Sequence, residues 1–344
     1  MSDEQKTPKQ KFEDYVRSLG ISVGEKETYS ELIKKIEQHF STEENPPQME
    51  PMLAYDVTSN PDPFWNDPDW IAEEKYDGIR MLMYFYRGRI RFTTRNRDPK
   101  TMLYHEKTNN YPQFLDRYRE ELEGTILDGE MIGGANDKRE PLAAIQAING
   151  ALPETAVETQ KKFGWARYVV FDIIKFCKKD VTEAPLIARK ELVRAICQRL
   201  GLEMVKEVNW RGDKKAFYEE IVRRGGEGVM LKHQWSRYKV NSREECWLKV
   251  KRYDDVEAVI TGWSKGCGRN RNKVGSCIIS IDGKQVGAFG NMTDSIRNDM
   301  TAPDGSLKQE YYGRRVLVRY QPPLKGLMRH CRLLKLLEKE NEES

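Results

Sequence analysis

The chain has 344 residues, of which 38% are hydrophobic, 33% charged and 10% aromatic, a length that suits about two domains. A mean hydropathy of -0.75 together with 7 Trp, 16 Tyr and 11 Phe describes a folded protein with a polar surface and excludes low-complexity disorder. The net charge of +4 excludes a polycationic tail and leaves room for local basic grooves.

The termini and cysteines add to this. No apolar run approaches the roughly 18 residues of a membrane helix, and the polar N-terminus lacks the apolar stretch of a signal peptide. Six scattered cysteines with no CxxC pair read as reduced, intracellular thiols.

Residues 1–10 read as a loose tail. Phe12, Tyr15, Val16 and Leu19, then Leu32, Ile33, Ile36 and Phe40, fall at helical spacing. Gly20 and Gly24 break the two helices, and Thr28 or Ser30 caps the second, with Glu31 in its first turn. The polar, proline-bearing residues 41–51 read as a linker. From Trp70 the pattern is of strands. Residues 80–92 form a hairpin signal around Arg87-Gly88-Arg89, and 125–132, 166–174 and 228–232 are short apolar runs expected to be buried strands. Residues 188–200 predict an amphipathic helix with Leu192, Val193, Ile196 and Leu200 on one face, and a second helix ends at Gly225-Gly226. Beyond Asp255 four short strands are expected, over 256–263, 275–281, 285–290 and 315–321, with Asp282-Gly283 as a hairpin turn. Such a set suggests a small barrel.

Several short constellations carry chemistry. Lys75-Tyr76-Asp77-Gly78-Ile79-Arg80 sets an amine at a tight turn, ahead of an arginine able to clamp an anion; its bland alternative is an exposed turn. Leu127-Asp128-Gly129-Glu130 ends an apolar run. Asp172 lies inside a buried-strand pattern, so it must sit at the strand's edge or be paired. Glu227 stands at the entry to a strand. Lys249 and Lys251 in Trp247-Leu248-Lys249-Val250-Lys251 point to one strand face, where two ammonium groups repel unless an anion lies between them.

Each motif alone is weak, and their order is specific. KYDGIR, TTRNR, LDGE, VVFDII, GEGVMLK and WLKVK, in that sequence between residues 52 and 340, resemble the ordered motifs of ATP-dependent DNA ligases of the covalent nucleotidyltransferase superfamily, nearest the compact phage and bacterial type. The basic last motif of larger ligases is not clearly present; Leu327-Met328-Arg329-His330 resembles the simpler ending of small ligases.

The resemblance implies an α+β fold: a helical N-terminal extension over 1–50, a nucleotidyltransferase (adenylation) domain of antiparallel sheets with flanking helices over 51–252, and an OB-fold β-barrel over 253–344. It implies Lys75 as the nucleophile toward ATP, forming lysine–AMP, from which AMP passes to the 5′-phosphate of nicked duplex DNA before the 3′-hydroxyl seals the strand. Glu73, Arg80, Arg95, Glu130, Phe171, Lys232, Lys249 and Lys251 would bind ATP or AMP. Glu130 and Glu227 would hold Mg²⁺ or Mn²⁺, which prefers few carboxylates plus water and substrate phosphate. Lysine has a pKa of about 10.4, so such a nucleophile needs neighbouring positive charge or burial to lose its proton.

The Gly-rich stretch 262–273 carries Lys265, Arg269, Arg271 and Lys273 and could follow DNA phosphates; its bland alternative is a solvated loop. Arg252-Tyr253-Asp254-Asp255 is the expected hinge, and the N-terminal helices faintly resemble SAP-like modules. A monomer, soluble in the cytoplasm or nucleoid of a bacterial cell or phage-infected host and without a membrane partner, is expected. An RNA ligase, an mRNA-capping guanylyltransferase or a catalytically silent nick-binding protein are the alternatives.

Overall fold

Thr7 starts the chain's first helix, Pro8–Ser18, through a capping box: its hydroxyl accepts from the Gln10 amide while Gln10 bonds back to the Thr7 amide. Thr28 and Glu31 repeat the device on Tyr29–Phe40. The helices meet over Phe12, Val16, Leu32 and Ile36, with Met102 and Leu103 packed against them. The computed structural model describes residues 7–40, 46, 49–98, 102–134, 137, 140–209, 211–324 and 326–337. Most of the expected tail and linker (1–6, 41–45, 47, 48) and the Phe40 side chain lie outside the described residues. The chain divides into two units, Met1–Val250 and Lys251–Ser344.

In the first unit the strands are β1 (Leu53–Asp56), β2 (Trp70–Glu74), β3 (Ile79–Tyr86), β4 (Arg89–Arg97), β5 (Tyr104–Glu106), β6 (Ile126–Ile132), β7 (Arg167–Phe176), β8 (Lys179–Asp180), β9 (Glu203–Met204), β10 (Glu207–Val208), β11 (Gly228–His233) and β12 (Arg243–Lys251). One sheet runs β1-β12-β11-β2-β10 and the other β5-β4-β3-β6-β7-β8, with β9 on β7. Pairing is antiparallel except for β1 with β12 and β9 with β7. Hairpin β3–β4 turns at Arg87 and Gly88, both at positive φ (52° and 76°), the conformation that a two-residue turn of matching twist requires.

Period-two alternation divides each sheet into two faces. Met81, Met83, Phe85, Leu127, Val170 and Ile173 enter a large core with helices Pro141–Gly150, Pro153–Phe163 and Leu186–Leu200. Ala72, Val229, Leu231, Leu248 and Val250 pack on the outer side of the other sheet with Trp65 and Ile221. The remaining faces look at each other across Met52, Leu82, Tyr84, Ile126, Ile174, Tyr238 and Trp247. A cleft between two sheets results, closed at one end by this apolar layer.

The second unit contains β13 (Asp254–Lys265), β14 (Val274–Ile281), β15 (Lys284–Phe289), β16 (Arg315–Leu324) and β17 (Leu327–Leu336), ordered β15-β14-β13-β16-β17. Ile260, Cys277, Ile279, Phe289, Val316 and Val318 form its core. Buried Arg297, on the Thr293-capped helix Asp294–Met300, donates to the carbonyls of Val274, Gly275 and Gly290. The sequence suggested four strands; β17 is a fifth, formed by the leucine-rich end. Among the described residues no ladder joins the two edge strands, although a Cβ at Gly287 would lie 2.9 Å from Cys331 Sγ.

Candidate active site

Strand β2 ends at Glu74, and the turn 75–78 carries the chain across the cleft mouth to β3. Gly78 makes this path feasible: a Cβ there would stand 2.4 Å from the Met131 carbonyl oxygen and 2.8 Å from Glu130 Cγ. The turn therefore lies directly against β6. The Lys75 amide donates to the Gly228 carbonyl (2.9 Å), and its Nζ is 2.5 Å from Glu227 Oε2. Lys75 retains 22% side-chain exposure against 8% for Glu227, so the amine faces the open end of the cleft.

Glu130 is on β6 opposite Arg80. Burial pushes its carboxyl up to about 7, an effect that Lys75, Arg80 and Arg95 oppose and Glu227 reinforces. Lys75, Glu130, Glu227 and Arg95 thus share one electrostatic neighbourhood; Arg95 itself is exposed, with Nε 3.4 Å from Asn96 Oδ1. Among the described residues no group of three or more His, Cys, Asp or Glu forms a metal cage. Glu130 and Glu227, two carboxylates near enough to repel each other, fit a cation that keeps waters and substrate phosphate as ligands.

Arg80 lies deeper. Its Nε and Nη2 reach Asp128 at 2.9 and 2.5 Å, Nη1 donates to the Met52 carbonyl (2.6 Å), and Nη2 meets Tyr238 Oη at 3.4 Å. Four of its five N–H groups are engaged within the fold. Asp172 is likewise paired, with Arg189 Nε and Nη2 at 2.8 and 3.0 Å, both residues fully buried. That answers how a carboxylate comes to lie in a strand's interior.

A bulge aims Phe171. Asp172 pairs with Asp128 and Val170 with Gly129, leaving Phe171 unpaired between them; such an extra residue re-aims a side chain. Its ring meets Trp247 edge-on (centroids 6.2 Å apart) and lies 4.6 Å from Lys232 Nζ. Lys232 also stands 3.8 Å from the Trp247 ring and 2.7 Å from Glu73 Oε2. Glu73 is opposite Met230 on β11 and faces inward, whereas Glu74 faces outward to Arg224 (2.6 Å). Lys190 pairs with the other Glu73 oxygen and with Glu207 (2.9 Å). Burial works against the Lys190 ammonium, and Glu73 and Glu207 outweigh it, so its pKa lies above the ordinary value. Burial lowers that of Lys232, and Glu73 only partly offsets it.

Lys249 and Lys251 share the β12 face of Trp247, as alternation requires, while Leu248 and Val250 enter the outer core. In the second unit, Lys265 closes a turn by pairing with Val274, and Gly266 N donates to the Lys273 carbonyl. Lys265, Arg269 and Arg271 are exposed; Lys273 donates to Asn298 Oδ1 (2.6 Å). The sequence reading missed Arg189, Lys190, Glu207 and Tyr238. A signal existed for the first: Arg189 lies between Leu186 and Val193 on the apolar side of its helix, where a cation demands a buried partner.

A two-sheet unit with a lysine in the turn at its cleft mouth, followed by a small all-antiparallel β unit, is the architecture of the covalent nucleotidyltransferases. Within that class, the ATP dependent DNA ligase domain matches residues 51–251, more than half of the chain, and the protein belongs to the ATP-dependent DNA ligase family. It is 29% identical over 215 residues to the SPbeta prophage-derived DNA ligase-like protein LigB of Bacillus subtilis, covering 62% of this chain and 72% of that one. To DNA ligase 4 of Emericella nidulans it is 26% identical over 257 residues, 67% of this chain but only 25% of the fungal protein. A solved Lig E DNA ligase superposes with a TM-score of 0.62 at 18% identity, over 84% of this chain and 99% of that one. The expected adenylation-plus-OB fold is borne out by these likenesses.

Proposed function

We propose that this ATP-dependent ligase seals 5′-phosphate/3′-hydroxyl nicks in duplex DNA through a lysine–AMP intermediate. The observation that carries the reading is the partly exposed Lys75 Nζ, held 2.5 Å from Glu227 at the mouth of a cleft in which Arg80, Arg189 and Lys232 are buried in ion pairs. Deprotonated Lys75 attacks the α-phosphorus of ATP; the N–P bond forms as the bond to pyrophosphate breaks. AMP then passes to the 5′-phosphate of the nick, freeing the lysine. The 3′-hydroxyl attacks that phosphorus, joins the strand and expels AMP.

Each cleft residue has a part. Phe171 offers its ring to adenine, and Glu73 and Lys232 line the base end. Arg95, Lys249 and Lys251 face the phosphates, where fixed positive charge stabilises the transition state. Arg80, anchored by Asp128, would act from the cleft floor on ribose or phosphate oxygens. Glu130 and Glu227 would hold Mg²⁺ or Mn²⁺, which supplies charge neutralisation to the phosphates when bound.

On the DNA side, Lys265, Arg269, Arg271 and Lys273 would contact backbone phosphates, with 252–255 as the hinge between adenylation domain (51–252) and OB domain (253–344). Residues 1–50 carry seven Lys/Arg against eleven Asp/Glu, a balance unsuited to phosphate contact, so the helix pair is not given a DNA role. The protein acts as an intracellular monomer; no described helix is long and apolar enough to cross a membrane.

The test is direct. Wild type and Lys75→Ala, first stripped of bound AMP with pyrophosphate, are incubated with α-³²P-ATP or α-³²P-GTP and Mg²⁺, then with a nicked duplex. Label from ATP on wild type alone, discharged as the nick is sealed, is expected. Label from GTP would place the chain with the capping enzymes, and no label from either nucleotide would sink the reading.

A further inference from the structure

Strands β2 and β10 pair with Glu73 directly opposite Glu207, an arrangement of like charges that is unfavourable unless a cation bridges them. Lys190 supplies it from helix Leu186–Leu200, ion-paired to Glu73 Oε1 and 2.9 Å from Glu207 Oε2. Arg194, one turn later, is 3.3 Å from the other Glu207 oxygen, and Lys232 is 2.7 Å from Glu73 Oε2. Glu73, Lys190 and Lys232 are 1%, 3% and 1% exposed. Ion pairs so buried add little to stability, since well-packed apolar side chains hold a fold as well or better. Their distinct product here is a carboxylate of fixed charge and fixed orientation, lying two residues before the nucleophile.

We infer that Lys190, backed by Glu207, is a specificity-determining positioning residue: it holds Glu73 as an acceptor-only carboxylate that selects a purine carrying a 6-amino group. This rests on the adenylation reading above. An ionised carboxylate has about four lone-pair positions and no proton to donate. One lysine on each oxygen leaves each with a lone pair for a ligand. Adenine presents an N–H donor at position 6, whereas guanine presents an oxygen acceptor, which an acceptor-only wall repels. Of the two lysines, Lys190 has two carboxylate partners and keeps its proton more firmly, while Lys232 is ion-paired with Glu73 and sits against the Phe171 and Trp247 rings. Losing Lys190 would also leave Glu73 facing Glu207 without a bridge.

The experiment compares Lys190→Met with wild type in formation of covalent protein–nucleotide, using ATP, GTP and purine riboside triphosphate, which lacks the 6-amino group. The expected result is a fall in kcat/KM for ATP of about tenfold or more, the size of a lost charge-assisted hydrogen bond. Purine riboside triphosphate stays within about twofold of wild type, and the preference for ATP over GTP narrows. A parallel fall for both adenine and purine nucleotides, or no fall for ATP, overturns the inference. Should Lys190→Met lack a cooperative thermal transition, Lys190→Gln, similar in length and uncharged, is taken through the same comparison with the same decision. If wild type takes no label from ATP at all, it is the adenylation reading that has failed.

Discussion

In the first unit, Arg80, Arg189, Lys190 and Lys232 are buried in ion pairs with Asp128, Asp172, Glu73 and Glu207. In the second, Lys265, Arg269 and Arg271 stand in solvent on one turn, and the ion pair of Arg269 with Asp294 is 3.9 Å long with both side chains mostly exposed. The same side-chain types thus work in two regimes. Buried charges are paired with one or two named partners in a fixed geometry, and act by placing a neighbour. Exposed charges have negligible pair energies and act by their sum on a distant polyanion, screened over about 10 Å in ordinary salt.

The contrast can be broken most forcefully at Asp172. Removing it strands the fully buried Arg189 guanidinium, and Asp172→Ala should cost about 3–5 kcal/mol of unfolding free energy, read by urea denaturation. A loss below about 1 kcal/mol would show that this pair behaves like a surface one. Glu130 sharpens the comparison through pH. Its carboxyl titrates at about 7 in the fold against an ordinary 4.5, so the protonated form favours folding. That contribution is whole below about pH 4.5 and is lost as pH rises through 7. Glu130→Gln should therefore raise the thermal midpoint over wild type at about pH 8 by a few degrees, with the gain vanishing near pH 4. A gain independent of pH would mean that burial is not what perturbs this carboxyl. The smallest effect is expected on the exposed turn. Arg269→Ala with Arg271→Ala should leave stability within about 0.5 kcal/mol and flatten the slope of log affinity for nicked DNA against log salt by about 2. An unchanged slope would remove both residues from the DNA contact.

The sequence made this split only half legible. Alternation in β3, β6 and β12 marked which residues face inward, and the hairpin at Arg87-Gly88 was readable because turn chemistry is local. Lys75, Glu130 and Glu227 could be picked out because each lies at the boundary of an apolar run. What stayed hidden was partnership across the fold. Lys190 reaches Glu73 over more than a hundred residues, and nothing in either neighbourhood names the other. Helices Pro141–Gly150 and Pro153–Phe163 were missed because short stretches opened by proline resemble loops when read by periodicity. Strand β17 was missed because its leucines and arginines do not alternate cleanly.

The unpaired Phe171 carries a consequence of another kind, concerning length and not side-chain chemistry. N-terminal to it, Tyr168 and Val170 belong to the helical core; beyond it, parity is reset, so that Asp172 faces the cleft and Ile173 the core. Loss of this one residue would restore plain alternation: Val170 keeps Gly129 and Asp172 keeps Asp128, so Asp172 still faces the cleft and Ile173 the core. Replacing Phe171 by alanine removes the ring and keeps the bend, whereas deleting it removes both. The two changes at a single site should therefore separate what the ring does from what the strand's local path does: both leave a protein that folds and holds its nucleotide weakly, and only the deletion straightens β7.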